Sequence, residues 1–342
     1  MRTWLYIGRR LVLVIPQMLL ISVVTFILVR LLPGDPARLQ LGPLSPESGV
    51  IALRKQMHLD ESLPQQYYWY LNSLLHGDFG RSWVNQTSVA ADLAQRIPAT
   101  LELMMWGMLL VLVALVPLGV MTASRKGGLI TQLLKRVTFG YGLLAGALPD
   151  FWLGLLLILI FFVKLHWAPG PEGRLGIEDQ PPQHITGMYT IDALLTGNIA
   201  AFSSAAKHLA LPAITLAFVY GGPIYKMARS RMSEALRCDY TAYAEGFGLP
   251  NRLVLWYALR NALPPVIVIV GVISGYLLGG AVLVETVFDL NGIGQYAVQA
   301  VQSADYAPIQ AFVLVAAVFT MFVYLAVDLV YFAVDPRVRS GK

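Results

Sequence analysis

Six stretches of this sequence each stay apolar for about 20 residues or more, and that feature excludes most folds at once. They are Leu11–Leu32, Thr100–Met121, Thr138–Lys164, His208–Tyr225, Leu263–Val287 and Pro308–Ala333. A helix crosses the ~30 Å hydrocarbon layer with about 20 apolar residues, at about 1.5 Å each. Lipid offers no partner to an unpaired backbone group, so each stretch is expected to be a helix, and the alternating segments of a β-barrel are missing. The fourth stretch is short and carries Gly221-Gly222-Pro223, an expected interruption. Only 13% of the 342 residues are charged, against roughly 25% in soluble domains. That is too little polar surface for a cytosolic enzyme or a disordered chain. The expected fold class is an all-α membrane protein with six transmembrane helices.

The basic residues orient it. Arg2, Arg9 and Arg10 precede the first span, and Arg125, Lys126, Lys135 and Arg136 follow the second. Lys226, Arg229, Arg231, Arg237, Arg252 and Arg260 follow the fourth, and Arg337, Arg339 and Lys342 follow the sixth. The alternate loops hold far fewer, so the N and C termini are expected to be cytoplasmic. The net charge of +5 is thereby explained as a topology signal, and no nucleic-acid partner is needed. The first span is longer than the core of a signal peptide, and Leu31-Leu32-Pro33-Gly34-Asp35-Pro36 lacks a small-x-small cleavage site, so it is expected to stay as a membrane helix.

Two outer segments exceed simple turns. Residues 33–98 contain an expected helix over Gln65–Leu75, rich in Tyr and Trp, followed by turn signals at Gly77 and Gly80. Residues 165–207 open with Pro169-Gly170-Pro171-Glu172-Gly173, which reads as loop. Either segment could cover a translocation entrance or serve as an inert lid.

Catalytic chemistry is not legible. No phosphate loop of the form GxxxxGK[ST] occurs, and the five His residues show no metal-ligand spacing. The single cysteine, Cys238, makes neither an internal disulfide nor a zinc site. Asp150 and Asp328 lie in spans, yet neither sits in a Gly-rich catalytic turn, and a Gly-x-Ser-Gly turn is lacking. The chain is expected not to be an enzyme, with no metal site and no cofactor of its own.

The segment Ser233–Leu263, between the fourth and fifth spans, is patterned. Leu236, Tyr240, Tyr243 and Phe247 recur at steps of four, three and four, which places them on one helical face. Ala242, Ala244, Gly246 and Gly248 beside them permit close approach of another surface. Leu249-Pro250 ends this helix, and Asn251 reads as the N-cap of the next, which carries Leu253, Val254, Trp256 and Tyr257. The expectation is a helix–turn–helix at the cytoplasmic face. Its apolar stripe either packs on the chain's own helix ends or docks a cytoplasmic partner.

Asp239-Tyr240, Ala244, Gly248-Leu249, Ala258-Leu259-Arg260-Asn261-Ala262-Leu263 and Pro265 resemble the coupling segment of ABC-importer permeases of the dipeptide/oligopeptide/nickel group. The resemblance extends along the chain through Gly77-Asp78-Phe79-Gly80-Arg81-Ser82, Pro98-Ala99-Thr100-Leu101-Glu102-Leu103 and Leu148-Pro149-Asp150-Phe151-Trp152-Leu153-Gly154. It continues through His208-Leu209, Leu211-Pro212-Ala213, Glu285-Thr286-Val287-Phe288, Gly292-Ile293-Gly294 and Asp335-Pro336-Arg337-Val338-Arg339.

The resemblance implies a type I ABC importer permease fold in a bacterial cytoplasmic (inner) membrane. It implies as partners a second homologous permease subunit, two ATP-binding cassette ATPases that hold ATP and magnesium, and an extracytoplasmic substrate-binding protein. Asp239, Tyr240, Tyr243, Ala244, Phe247, Gly248 and Leu249 would then be the ATPase-coupling residues. The family's Glu-Ala-Ala stands here as Ala242-Tyr243-Ala244, and Glu245 and Phe247 occupy places that are often basic. Similar permeases handle dipeptides, longer peptides, nickel chelates, glutathione and some oligosaccharides. The chain divides into 1–32 (N-terminal cytoplasmic segment and first span), 33–98 (extracytoplasmic), 99–333 (core with coupling segment 233–263) and 334–342 (cytoplasmic tail).

The expected translocation-pathway residues are Asp150, Gly271, Gly275 and Gly279. A carboxylate near a helix centre costs roughly 2.5–3.5 kcal/mol on insertion scales and so faces a cavity or a partner. Asp150 either lines the pathway or caps the helix resuming after Pro149. Glu102, Glu285 and Asp328 are expected to hydrogen-bond neighbouring helices. The ladder Gly271, Gly275 and Gly279 allows close helix approach, at a seam with a second permease or inside this subunit. The competing function is a self-sufficient ion-coupled transporter with Asp150 as its coupling carboxylate.

Overall fold

The computed structural model describes residues 2–31, 35–42, 44–123 and 129–334. The basic pair Arg125 and Lys126, positions 32–34 of the Leu-Leu-Pro-Gly-Asp-Pro run and the tail motif Asp335–Arg339 lie outside the described residues. Among the described residues the chain is helical, with a lone antiparallel bridge between Arg81 and Ser88. The helices are α1 (Arg2–Arg30), α2 (Pro36–Leu41), α3 (Glu47–Gln56), α4 (Leu63–Leu75), α5 (Val89–Leu110), α6 (Val116–Ala123) and α7 (Leu129–Leu144). They continue as α8 (Asp150–Leu157), α9 (Tyr189–Leu195), α10 (Ile199–Ala235), α11 (Asp239–Gly246), α12 (Asn251–Phe288), α13 (Ile293–Gln302) and α14 (Tyr306–Val334). Val111–Leu115, between α5 and α6, and Ile158–Lys164, after α8, are π-helical. Among the described residues, four helices are long and apolar enough to cross a membrane: Val89–Ala123, Ile199–Ala235, Asn251–Phe288 and Tyr306–Phe332. Val12–Leu28 is an apolar stretch within α1.

Three expected spans differ from what the structure shows. Thr138–Lys164 is not one helix: α7 stops at Leu144, Gly146 adopts a φ of +85°, and Pro149 is extended before α8 starts. Glycine ends a helix readily in the left-handed conformation, and proline disfavours helical geometry in the residue before it. Conversely, Gly221-Gly222-Pro223 does not interrupt the fourth span, because α10 runs unbroken for 37 residues through Pro212 and Pro223. Those glycines serve packing: a Cβ at 221 would collide with Leu115, and one at 222 would lie 2.7 Å from the Ala145 Cβ. Neighbouring helices of this kind allow proline inside a membrane helix. Finally, Asn251 is not an N-cap. Pro250, extended at φ −61° and ψ 140°, takes that position, and its carbonyl accepts the Leu253 N–H at 2.8 Å. From Asn251 one 38-residue helix continues to Phe288, so the second limb of the expected helix–turn–helix and the fifth span are a single rod.

The chain resolves into two compact units, Met1–Pro98 with Gly292–Met321, and Ala99–Asn291 with Phe322–Lys342. In the first, the aromatic helix α4 packs on α1. The Phe26 and Tyr67 rings meet edge-on at 5.3 Å, Ser22 and Tyr67 share a hydrogen bond of 2.8 Å, and Arg30 donates to Gln66 at 2.8 Å. Gly77 and Gly80 take φ of +74° and +82°, the turn geometry their positions suggested. Beyond that turn, Ser82 donates to the buried Asp305 at 2.6 Å, and Tyr296 donates to Asp92 at 2.8 Å. Burial pushes the Asp305 carboxyl above its ordinary value.

The second unit is built around α10 and α12, held by small residues. Ala123, Met232, Ala235, Ala258 and Ala262 form one buried cluster, and Val111, Ala217, Ile224, Ala228, Val266 and Ile273 form another. Gly119 lets α6 approach so closely that its Cβ would sit 3.0 Å from both Ala228 Cβ and the Tyr225 carbonyl. With no hydrophobic drive between helices in lipid, such close packing is the main source of their association.

Candidate coupling and pathway site

The short helix α11 joins the two longest helices. Cys238, extended at ψ 151°, precedes it, and Asp239 lies in its first turn, where a carboxylate suits the helix dipole. Thr241 is buried, and its hydroxyl donates to the Cys238 carbonyl at 2.6 Å and the Ala235 carbonyl at 3.2 Å. Ala244 is buried too, and its carbonyl accepts the Leu249 N–H at 3.1 Å. Gly248 closes the helix at φ +71°, a conformation that favours glycine. Thr241 and Ala244 therefore fix which face is turned inward.

The adjoining face carries the aromatic stripe. Tyr243 is 69% exposed, Phe247 84%, and Tyr240 and Leu249 are exposed as well. Leu236 alone packs against the alanine-rich cluster on α10 and α12. The stripe thus splits: Leu236 and Tyr240 touch the chain's own helix ends, while Tyr243 and Phe247 stand clear of them. Partial burial raises the Tyr240 hydroxyl above its ordinary value, against the lowering effect of its hydrogen bond with Asn261. Exposed aromatics in one patch mark a contact surface. Immediately above α11 the alanine-rich cluster clamps α10 to α12, so the site connects to two rods each roughly 55 Å long.

The pathway candidates separate. Asp150 is buried in the first turn of α8, where it accepts the Phe151 N–H at 2.8 Å and the Tyr220 hydroxyl of α10 at 3.0 Å. It bonds its own helix start and also ties α8 to α10. Gly271 packs inside the subunit, where a Cβ would collide with Val327 of α14, whereas Gly279 is exposed with open space around its Cβ position. Gly275 is half-buried. The three glycines therefore do not form one uniform seam within this chain. Of the acidic residues expected to bond neighbours, Glu285 accepts the Thr100 hydroxyl, and Glu102 accepts both groups of Thr190 at 2.6 Å and pairs with Arg174. Asp328 lies half-buried on α14.

Two residues escaped sequence reasoning. Tyr220, 70 positions from Asp150, is its hydroxyl partner. Gly280 accommodates the Tyr220 ring, since any Cβ there would collide with its hydroxyl and edge. The doublet Gly279-Gly280 was the available signal, but only contact geometry shows which of the two is needed.

The family model for the binding-protein-dependent transport system inner membrane component matches residues 115–340, and a model for the N-terminal part of such membrane components matches residues 3–104. The chain is 41% identical over 322 residues to the probable D,D-dipeptide transport system permease protein DdpB of Escherichia coli K12, covering 94% of this chain and 93% of that protein. It is 39% identical over 342 residues to the di/tripeptide transport system permease protein DppB of Pseudomonas aeruginosa UCBPP-PA14, covering 98% and 99%. The dipeptide transport system permease protein DppB of Haemophilus influenzae Rd is 39% identical, with 98% and 99% covered.

Proposed function

The chain belongs to the family of binding-protein-dependent transport system inner membrane components, and on that premise we propose that it carries dipeptides or oligopeptides through the cytoplasmic membrane. It is an ABC importer permease subunit and a multi-pass membrane protein. In this reading six crossings comprise the four long helices, α1 and the broken 129–164 pair, with both termini cytoplasmic. The segment 33–98 is extracytoplasmic, 99–333 is the transport core and 334–342 is a cytoplasmic tail. A second permease, two ATPases and a substrate-binding protein complete the machine. ATP and magnesium belong to the ATPases, and no cofactor belongs to this chain.

The observation that carries this reading is the exposed face of α11 between α10 and α12. Asp239, Tyr240, Tyr243, Phe247, Gly248 and Leu249 present the docking surface, and Ala244 seats it from behind. A displacement imposed there by closing ATPases passes into two continuous helices, so it moves membrane-embedded residues without any step of chemistry in this subunit. Asp150 and the exposed Gly279 face the pathway or the second permease in this account.

Uptake of a labelled dipeptide into proteoliposomes tests it. The complete complex with its binding protein is expected to accumulate peptide only with ATP on the ATPase side, and the chain alone is expected to accumulate none under a proton or sodium gradient. Uptake by the chain alone, abolished by Asp150→Asn, would replace the importer reading with an ion-coupled one.

A further inference from the structure

An open-sided cleft of about 800 Å³ lies between α7 and α10, with Lys226, Arg229 and Arg237 along one wall and Phe139 and Leu143 along the other. Lys226 and Arg229 are three apart on α10 and Arg237 follows its last turn, while the two apolar residues are four apart on one face of α7. None of the three cations makes a side-chain hydrogen bond or ion pair among the described residues. Among the described residues the one carboxylate lining the cleft, Glu234, is already held by Arg231 at 3.0 Å. Gly142 forms part of the floor, and the Lys226 stem runs across it, 3.3 Å from where a Cβ would stand.

Three uncompensated positive charges beside apolar residues demand a ligand that is anionic at one end and greasy at the other. Phe139 and Leu143 are exposed one turn apart on α7. Such a wall offers nothing to free phosphate but gives an acyl chain an apolar surface to lie on. We propose that this cleft binds an anionic phospholipid, with its phosphate on Lys226, Arg229 and Arg237 and its chains along Phe139 and Leu143. Basic pockets between membrane helices take anionic head groups on the same electrostatic grounds. The proposal goes beyond the transport reading and does not depend on the identity of the solute carried.

Native mass spectrometry of the full chain in mild detergent tests it, with phosphatidylglycerol and phosphatidylethanolamine added in equal amounts. Phosphatidylglycerol is expected to be retained roughly a hundredfold better, the product of three contributions, one from each cation. Each neutralised cation is expected to lower that retention about fivefold, following the ~1 kcal/mol that one Lys or Arg contributes near an anionic surface. The triple variant Lys226→Gln, Arg229→Gln, Arg237→Gln should therefore bind the two lipids alike. Neutralising Arg252 and Arg260, which do not line the cleft, should change retention less than twofold. Gly142→Leu keeps every charge, fills the floor and should also lose the lipid, and it decides the matter if the triple variant does not fold. Equal retention of both lipids, an equal loss in the Arg252 and Arg260 control, undiminished retention in Gly142→Leu, or displacement of the lipid by millimolar inorganic phosphate would each overturn the assignment.

Discussion

Replacing Tyr243 and Phe247 together by Asp is expected to lower ATP-driven peptide uptake at least a hundredfold while leaving the permease folded. Both side chains are largely exposed and touch little of their own chain, so the change in intrinsic stability should stay near the ±0.5 kcal/mol typical of surface sites. At an interface the same residues behave differently. A buried aromatic anchor contributes about 2 kcal/mol or more, and two of them multiply to a loss of roughly three orders of magnitude in docking. Added carboxylates would also have to be desolvated against the partner. Uptake in proteoliposomes and thermal unfolding of the isolated chain, measured side by side, separate the two effects. Full uptake in the double variant would show that force does not enter through this face.

Gly280→Ala is expected to be the most damaging single methyl group in the core. The new Cβ would collide with the Tyr220 hydroxyl and ring edge, and a ring cannot bend away. Overpacking of this kind costs about 1–3 kcal/mol. If the ring swings aside, the buried Asp150 loses its hydroxyl partner, which adds about 1–3 kcal/mol. Gly279→Ala, one residue earlier, meets nothing within 4 Å. It should be neutral, or stabilising by up to about 1 kcal/mol through helix propensity. Tyr220→Phe removes only the hydroxyl, and its cost should overlap with that of Gly280→Ala, so the double variant is less than additive. Unfolding midpoints of the four variants check this, and equal behaviour of the two glycine variants would contradict the packing account.

The helical class and most long spans were legible because lipid leaves a chain so few alternatives. Helix interruptions were not. Gly221-Gly222-Pro223 looks like a breaker by composition, yet Leu115 and Ala145 fill the space its missing side chains leave. Pro149, with Gly146 before it, does break its helix, and nothing in hydrophobicity distinguishes the two cases. The docking stripe was legible from the three- and four-residue steps joining Tyr240, Tyr243 and Phe247. Whether that stripe faces inward was not legible, because it depends on Thr241 and Ala244 turning toward α10 and α12. The glycine ladder shared a period but not an environment: Gly271 packs within the chain and Gly279 does not. The link between Asp150 and Tyr220 is a tertiary contact that no local pattern announces.

In the proposed machine, motor subunits grip α11. A photo-crosslinking amino acid placed at 243 or 247 in the assembled importer tests it directly. ATPase adducts are expected at both positions, with yields that change when ATP closes the motor; adducts confined to lipid, or to this chain itself, would show that the motor does not dock on α11.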